Sequence, residues 1–571
     1  MIREIISKIV ASAAGKSGFK LPEEVKITPT PEKDFGDYST NIAFILAKQT
    51  GRPSEEIAGE LAETINSINP PEFEKVETAG GYVNFFLNNN FIQKEFEKTT
   101  ADENFGIDRK FAGKTVMVEF TDANPFKIFH IGHLMSNSIG EALSRLYEVI
   151  GAKVLRVNWQ GDIGVHVAKT IWAIGTGKIK MSGEDDPLAG KLTQLGQAYA
   201  LGNISYEDDP AAKVEIDEIN KKLYEQSDPE LNKIYTTGRQ WSLDYFETVY
   251  DRLGTKFIHY FFESEMGPKG LEMVWAHPDI FEEDKGAIIF RGENYGLHTR
   301  VFISAQGLPT YEAKELGLNQ EKFNLYHPDL SLIVTGNEIV EYFRVLLKVM
   351  SLIMPDVAEK TRHIAHGTLR LPTGKMSSRT GTVISAEELI EDVKKAIISL
   401  PIKESKLTDE EKGTNAEAIA IGAIKYSILK QRSEQDIIFD FEKSLSVSGN
   451  SGPYLQYTFA RLAGILEKAG ENNGGGANYS VLVKDEELDL MKKILRFSDA
   501  VMACADDNSL NHLATFLYEL CSLTNYFYEK VPVNKENDAK IRYVRLGLIK
   551  TVKNILGAGL NILGIKTLEK I

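Results

Sequence analysis

The chain has 571 residues, of which 43% are hydrophobic and 26% charged, and its formal net charge is −15. This length predicts several domains, and no apolar run reaches the roughly 18 residues that a membrane span requires. The negative charge excludes a general nucleic-acid coat, although a locally basic surface can still bind a nucleic acid. Two cysteines, Cys504 and Cys521, provide neither a disulfide framework nor a thiolate zinc site. We therefore expect a cytoplasmic protein without structural zinc, since an export signal is also missing.

Residues 1–98 predict a small N-terminal α+β domain. Helical patterns over residues 2–14 and 41–65 flank a turn-rich segment around residues 29–37. The aromatic and β-branched run at residues 82–87 is typical of a strand.

Residues 110–405 predict an α/β domain. An almost wholly apolar strand at residues 115–120 is followed by a loop, a helix from about Gly132 and a second strand at residues 154–157. This βαβ order is that of a parallel, Rossmann-like sheet. Residues from about 170 to 300 break the α/β pattern and are interpreted as an insertion. Residues 406–571 read as an all-helical domain.

The first motif is His-Ile-Gly-His at residues 130–133, between the first strand and its helix. Imidazoles near a helix N-terminus can donate to phosphate oxygens that gain charge during a reaction. Gly132 leaves room for a nucleotide to approach the backbone. Such a tetrapeptide is often incidental, but the strand before it and the helix after it favour a nucleotide site.

The second motif lies about 245 residues downstream, where Lys375 and Arg379 bracket Met376, Ser377 and Ser378. Gly374 and Gly381 flank it, and glycines favour a mobile loop. A cationic loop that closes over a triphosphate can neutralise the departing pyrophosphate. The two motifs together predict adenylate-forming chemistry.

The chain resembles class I aminoacyl-tRNA synthetases, and among them the arginyl-tRNA synthetases. The resemblance covers nearly the whole length and depends on an ordered set of segments. These segments are residues 36–43, 119–133, 161–164, 310–311, 375–381, 452–457 and 563–565.

The resemblance implies that arginine attacks the α-phosphate of ATP, assisted by Mg²⁺, and that the arginyl group then passes to tRNA(Arg). In this family the first step generally needs bound tRNA. Partners are therefore L-arginine, ATP and tRNA(Arg), with no membrane, and we expect a monomer.

The resemblance also implies that the N-terminal domain, residues 1–98, contacts the tRNA elbow and that the all-α C-terminal domain, residues 406–571, binds the anticodon. It further assigns roles to residues. For catalysis it implies His130, His133, Lys375, Arg379 and Lys127, and for ATP binding Gly132, His130, His133, Gly161, Asp162, Met376 and Ser377. For arginine it implies Glu119, Asn124, Tyr311 and Glu315, and for tRNA Asn84, Phe86, Tyr454, Gln456, Arg461 and Arg542. No protein ligand to a metal is predicted.

The residues assigned to arginine binding also suit the chemistry of that substrate. A planar guanidinium is best held by carboxylates, and Glu119 ends a strand at the edge where open α/β sheets bind ligands. Tyr311 and Glu315 are four residues apart, which places a ring and a carboxylate on one face of a helix. Alone, these residues would more simply be a strand-end ion pair and a core aromatic.

Three positions depart from the class or family pattern. Glu315 stands where relatives usually have Asp, and Ser378 replaces a lysine common in class I enzymes. A glutamine that contacts arginine in relatives has no clear counterpart at residues 334–343. Many arginyl members share the Ser378 change together with an arginine like Arg379, so that change agrees with the assignment.

Three alternatives were weighed against this interpretation. Cysteinyl or methionyl specificity usually comes with zinc-binding cysteine sets, which two distant cysteines do not form. A small nucleotidyltransferase shares the histidine motif but would not need the terminal domains. A catalytically inactive RNA-binding relative would have no reason to hold Glu119, His130, His133 and Lys375 together.

Overall fold

The structure is a computed structural model, and it describes residues 2–23, 25–30, 32–371, 384–399, 407–470 and 478–571. The cationic motif from Lys375 to Arg379 lies outside the described residues, and so does the predicted boundary between residues 405 and 406. None of the described helices is long and apolar enough to cross a membrane.

The N-terminal segment is α+β, as predicted. In chain order its elements are α1 (Ile2–Lys16), β1 (Ile27–Pro29), β2 (Tyr38–Thr40), α2 (Ile42–Thr50), α3 (Ser54–Ile68), β3 (Phe73–Ala79), β4 (Tyr82–Leu87) and α4 (Asn89–Ala101). The strands form an antiparallel sheet in the order β1-β2-β4-β3. Its buried face packs on apolar side chains of α1 and α3, such as Ile6 and Leu61.

The next segment forms the larger α/β domain. Its first half contains β5 (Thr115–Glu119), α5 (Ile131–Val149), β6 (Lys153–Gln160), α6 (Val165–Gly175), α7 (Leu188–Asp208), α8 (Pro210–Glu225), α9 (Pro229–Leu253) and β7 (His259–Phe262). Its second half contains α10 (Glu263–Trp275), β8 (Glu282–Asp284), β9 (Ala287–Phe290), β10 (Arg300–Ile303), α11 (Tyr311–Tyr326), β11 (Leu330–Gly336), α12 (Val340–Ile353), α13 (Pro355–Lys360), β12 (Thr361–His366), β13 (Leu369–Arg370) and α14 (Ala386–Ile398).

Five strands form a parallel sheet in the order β12-β11-β5-β6-β7. The chain runs outward from β5 through β6 to β7, and then returns to the other side of β5 as β11. The switch point therefore lies between β5 and β11, where open α/β sheets bind ligands at the carboxyl edge. The Rossmann-like fold predicted from the βαβ pattern is confirmed.

The segment interpreted as an insertion is more mixed than predicted. Helices α7, α8 and α9 pack with α6 around a separate core that includes Trp172 and Trp241. However, β7 belongs to the main parallel sheet, although residues 170–300 include it. Four residues between long helices give too short a pattern to be recognised as a strand in the sequence.

The C-terminal segment is helical except for one two-residue strand. Its elements are α15 (Asp409–Leu429), β14 (Ile437–Ile438), α16 (Phe441–Leu445), α17 (Gly452–Ala469), α18 (Asp485–Leu495), α19 (Phe497–Asp507), α20 (Asn511–Lys530) and α21 (Ala539–Ile562). Strand β14 pairs with β13 in parallel.

The chain divides into two compact units. The first consists of Met1–Ile107, Leu462–Asp499 and Glu519–Ile555, and the second of Asp108–Arg461, Ala500–Tyr518 and Leu556–Ile571. Within the first unit, Asp37 forms an ion pair with Lys492, whose Nζ lies 3.0 Å from Asp37 Oδ1, and this pair ties the N-terminal segment to α18. Much of the helical C-terminal segment is thus packed with the N-terminal domain.

Candidate active site

The loop after β5 is held in an unusual backbone conformation. Thr121, Asp122 and Phe126 have φ angles of 81°, 52° and 67°, a region that costs roughly 1–3 kcal/mol for each residue that is not glycine. Side chains outside the loop hold it: the Thr121 amide donates to Ser136 Oγ and the Phe126 amide to Ser242 Oγ, both at 2.9 Å. The loop is therefore fixed before any ligand binds.

His130 and His133 cap the N-terminus of α5. Their rings are stacked with centroids 3.6 Å apart. His130 Nδ1 accepts from the amides of Gly132 at 3.1 Å and His133 at 3.4 Å, and His133 Nδ1 accepts from the His130 amide at 3.2 Å. A Cβ at position 132 would lie 2.9 Å from His130 Cε1, so glycine here makes room for the imidazole cap. The approach of a nucleotide to Gly132 stays a prediction.

This capping fixes the protonation of both histidines. A backbone amide can only donate, so each Nδ1 is unprotonated and each neutral ring carries its hydrogen on Nε2. Burial lowers the pKa of His130 to about 4 and that of His133 well below its usual value. The site therefore offers two neutral Nε2–H donors, whereas two α5 amides are already occupied.

Gly161 and Asn124 meet at the mouth of the cleft. Asn124 Oδ1 accepts from the Gly161 amide at 3.0 Å, and a Cβ on Gly161 would lie 2.4 Å from that oxygen and 3.0 Å from Glu263 Oε1. The Gly161 carbonyl accepts from His166 Nε2 at 2.9 Å. Only glycine allows Asn124 Oδ1 to come this close to position 161. Gly161 thus brings the predicted Asn124 near Glu263 and His166, two residues that no sequence motif indicated.

Asp162 does not have the role predicted for it. Its fully buried carboxylate accepts from Tyr235 Oη at 2.6 Å, Arg239 at 2.8 Å, and the amide and hydroxyl of Ser264 at 2.9 and 2.7 Å. With four donors from the protein, it has no accessible oxygen for ATP. The structure contradicts direct ATP binding and makes Asp162 the residue that joins β6, α9 and α10.

Lys127 and Lys314 surround the carboxylate of Glu263. Lys314 Nζ lies 2.6 Å from Glu263 Oε2, and both side chains are 5% exposed. Burial raises the pKa of Glu263, although Lys314 opposes this shift, and burial lowers the pKa of Lys127. The cleft thus has one carboxylate, that of Glu263, near two ammonium groups. Lys314 is paired with this carboxylate, whereas Lys127 is hydrogen-bonded to no carboxylate among the described residues.

A group of buried charges lies where β5 ends. Glu119 forms an ion pair with Lys322, and neither side chain is more than 1% exposed. The pair lacks regular hydrogen-bond geometry, since both Glu119 oxygens and Lys322 Nζ are without a hydrogen-bond partner in the part of the chain that the structure describes. Glu315 is 7% exposed and shares the α11 face with Lys322 and with Asn319, whose Nδ2 donates to Glu315 Oε2 at 3.3 Å.

Tyr311 begins α11 and is 59% exposed. Its carbonyl accepts from Tyr342 Oη at 3.2 Å, and Lys314 Nζ lies 5.3 Å from its ring. The structure therefore places Tyr311 at the rim of the buried charges rather than in the core. Glu315 lies one turn deeper, in agreement with the predicted shared face.

Several residues predicted to contact tRNA are buried. Asn84 is 5% exposed and Tyr454 is 9% exposed, with its ring 5.8 Å from that of Tyr518. Gln456 is fully buried and donates to the carbonyls of Ala418 at 3.2 Å and Lys566 at 2.8 Å. Their burial argues against direct RNA contact by these three side chains, and Gln456 instead joins α15 to the end of the chain.

The other predicted contacts reach solvent to different degrees. Arg461 is exposed, whereas Arg542 is half-buried and donates to the Glu536 carbonyl at 3.1 Å. Phe86 is half-buried beneath Lys75 Nζ, 4.3 Å from the ring centroid. These three residues stay candidates for RNA contact.

Among the residues that the structure describes, no three His, Cys, Asp or Glu side chains are grouped as metal ligands. The expectations about metals therefore stay predictions. Cys504 and Cys521 are both buried and free.

Family models match almost the whole chain. The model "tRNA synthetases class I (R), catalytic domain" matches residues 100–441, "DALR anticodon binding domain" matches residues 455–571, and "Arginyl tRNA synthetase N terminal domain" matches residues 1–87. The cleft described above therefore lies within the matched catalytic domain.

Curated relatives are similar over nearly their full length. The chain is 29% identical to an arginine–tRNA ligase from Clostridium acetobutylicum over 545 residues, which cover 95% of each chain. It is 31% identical to an arginine–tRNA ligase from Clostridium botulinum (strain Loch Maree), again over 95% of each chain.

Two solved structures share the fold. The arginyl-tRNA synthetase of Thermus thermophilus superposes with a TM-score of 0.83 at 24% identity, and covers 100% of both chains. The Plasmodium falciparum arginyl-tRNA synthetase gives 0.84 at 21% identity, over 100% of this chain and 99% of that one.

The parallel sheet, the histidine pair at its switch point and the matched catalytic model place the chain among the class I aminoacyl-tRNA synthetases. The family model that matches the N-terminal domain and the full-length relatives all belong to enzymes for one amino acid, arginine. Within the class, the chain belongs to the arginyl-tRNA synthetase family.

Proposed function

We propose that arginine and ATP react at the carboxyl edge between β5 and β11, and that the arginyl group is then transferred to tRNA(Arg). The chain is an arginine–tRNA ligase of class I, and this class uses ATP. In the first step the arginine carboxylate attacks the α-phosphate and pyrophosphate leaves. In the second step the terminal adenosine of tRNA attacks the arginyl-adenylate and AMP leaves.

The buried charges at the end of β5 carry this proposal. Glu119, Asp122 and Glu315 supply three carboxyl groups against the single ammonium of Lys322. An excess of buried carboxyl groups is unfavourable unless a cation enters, and a guanidinium provides both the charge and hydrogen-bond donors. Tyr311 at the rim would cover the alkyl chain of the substrate.

The opposite end of the substrate would lie near Gly161. Glu263 Oε1 and Asn124 Oδ1 both approach this residue, and they are acceptors for an α-ammonium group. This arrangement would direct the substrate carboxylate towards the histidine pair. Orientation of this kind lowers the barrier because it replaces a random encounter.

His130 and His133 would bind the α-phosphate through their Nε2–H groups. Neutral donors already in place stabilise the charge that develops on the non-bridging oxygens. Lys127 would add a positive charge near the polyphosphate, and Lys375 and Arg379 stay the predicted cations for the departing pyrophosphate. No described residues form a protein cage for Mg²⁺, so we propose that the ion enters bound to the phosphates of ATP, as is usual for this metal.

Exposed Arg461 and half-buried Arg542 support tRNA binding by the C-terminal segment, since arginine side chains position phosphates. We further propose a monomeric enzyme that acts in the cytoplasm.

Arginine-dependent exchange between ATP and pyrophosphate, run with and without tRNA(Arg), tests the function. We expect exchange with arginine only, and only when tRNA is present. Exchange supported by another amino acid would overturn the specificity, and exchange without tRNA would overturn the proposed dependence. A matched control is the His133→Asn variant, which should abolish exchange while arginine still binds.

A further inference from the structure

The buried charges at the end of β5 are not balanced when the pocket is empty. Three carboxyl groups, of Glu119, Asp122 and Glu315, surround one ammonium group, that of Lys322. An isolated charge in such surroundings is strongly disfavoured, and carboxyl groups usually respond by keeping a proton.

The contacts indicate which carboxyl group keeps it. Lys322 is committed to Glu119 through the buried ion pair. Burial and Glu119 also raise the pKa of Asp122 well above its usual value, but its Oδ1 is already held by the Trp159 amide at 3.0 Å. Among the described residues, the Glu315 carboxyl group receives only a long contact, 3.3 Å from Asn319 Nδ2.

The groups around Glu315 come from every element packed against it. The acidic groups are Glu119 at the end of β5, Asp122 in the following loop, Glu263 at the start of α10, Tyr342 on α12 and Glu312 on α11. The cations among the described residues around this set are each held by another carboxyl group: Lys322 by Glu119, Lys314 by Glu263 at 2.6 Å, and Arg300 on β10 by Glu312 at 3.6 Å.

We propose that the pocket admits the substrate guanidinium in exchange for a proton: Glu315 carries a proton when the pocket is empty and gives it to solvent when arginine binds. The inference rests on the proposed function, because it assumes that the guanidinium occupies this pocket. The O–H bond of the Glu315 carboxyl group breaks, the proton goes to bulk buffer, and the resulting carboxylate pairs with the guanidinium. Charge in the pocket is therefore the same before and after binding.

The titration behaviour of the group agrees with this exchange. Burial and the neighbouring Glu119 raise the pKa of Glu315 to about 8, while Lys322 opposes the shift. A carboxyl group with a pKa raised above 7 is mostly protonated at neutral pH, so binding should release close to one proton.

The exchange also has a consequence for specificity. Citrulline has the shape of arginine but an uncharged ureido group, whose oxygen can accept from a protonated Glu315. It needs no proton release. Discrimination against citrulline should therefore weaken as the pH falls, since only arginine must displace the proton.

Calorimetric titration of the full-length protein with L-arginine tests the exchange, using two buffers of different ionisation enthalpy between pH 6.0 and 7.5. For the unmodified protein we expect release of about 0.9 proton at pH 7, and a Kd that rises about tenfold for each unit of decrease in pH. As the pH decreases over the same range, the ratio of the Kd for citrulline to the Kd for arginine should fall by a similar factor.

Glu315→Gln keeps the size of the side chain but cannot release a proton. Arginine should bind this variant more weakly, with less than a twofold change in Kd over the range and no buffer-dependent heat. Glu321→Gln, on the same helix and paired with Lys269 at 2.8 Å, should behave like the unmodified protein. Thermal melting checks that each variant is folded.

The outcomes separate the two proposals. Arginine binding with a pH-independent Kd, or proton release that persists in Glu315→Gln, would overturn the exchange and leave the proposed function standing. Failure of the unmodified protein to bind arginine at any pH would overturn both.

Discussion

Lys322 and Glu119 form an ion pair that is almost completely closed to solvent, at the point where the central strand of the sheet ends. Because the pair is buried, removing one partner leaves the other charge without compensation. We expect Lys322→Met to lower the free energy of unfolding by about 3–5 kcal/mol. Urea denaturation measures this change.

The double variant Lys322→Met/Glu119→Gln is the matched control. It removes both charges, so it should recover much of the stability lost in the single variant. A single variant as stable as the unmodified protein would show that the pair contributes nothing to folding.

His130 has two roles that substitution can separate. Its Nδ1 caps α5, whereas its Nε2–H has no acceptor among the described residues and would donate to a substrate. Asparagine is a good cap but lacks a donor at the Nε2 position, so His130→Asn should keep most of the stability and reduce exchange by about 10²–10³-fold. His130→Ala should lose the same activity and also about 0.5–2 kcal/mol of stability. Equal stability of the two variants would contradict the capping role.

Buried neutral histidines should make the fold sensitive to acid. The pKa of His130 and that of His166 are both lowered to about 4 by burial, whereas an unfolded histidine titrates near 6.5. Below pH 6.5 the unfolded chain therefore binds more protons than the folded protein, so the free energy of unfolding falls as the pH drops from 6.5 towards 4. Above pH 6.5 the contribution of these histidines to stability is fully present. Urea midpoints at pH 7.0 and 5.0 measure the loss, which should be smaller in His166→Gln. A midpoint that is constant across this range would be inconsistent with neutral buried imidazoles.

Asp162 distinguishes a structural from an ATP-binding role. If it holds α9 and α10 through Tyr235, Arg239 and Ser264, Asp162→Asn should destabilise the protein by about 2–4 kcal/mol. Tyr235→Phe should be milder because it removes a single neutral donor. Normal stability with a large increase in the KM for ATP would instead restore the role predicted from the sequence.

Gly161→Ala tests the close approach of Asn124. The added methyl group would lie 2.4 Å from Asn124 Oδ1, so Asn124 must move and the KM for arginine should rise at least tenfold. Gly59→Ala in α3, where nothing lies within 4 Å, should leave arginine kinetics unchanged. Steady-state aminoacylation measures both variants.

The sequence allowed correct prediction of the secondary structure around the motifs, while the roles of the residues in them stay predictions. The histidines follow a recognisable strand and open a helix, and Tyr311 and Glu315 share a helical face. His166 carries no such pattern, because its place in the site arises from its contact with the Gly161 carbonyl. Lys322 lies seven residues after Glu315 on α11, so helical spacing could have indicated it.

Burial of polar residues was the main source of error. Gln456 and Asp162 both lie in segments that resemble the family, and their exposure could not be read from the sequence. Each is fully buried and bonds to groups of other elements: Asp162 accepts from side chains of α9 and α10, and Gln456 Nε2 donates to two carbonyls. A motif indicates that a residue matters, but only the packing shows whether it matters to a ligand or to the fold.

Ser136 and Ser242 hold the amides of two of the three left-handed residues after β5. Ser242 belongs to α9, which also provides two of the Asp162 contacts, from Tyr235 and Arg239. The loop beside the amino-acid site is thus tied to one long helix, so a displacement of α9 would strain the loop without any contact to arginine.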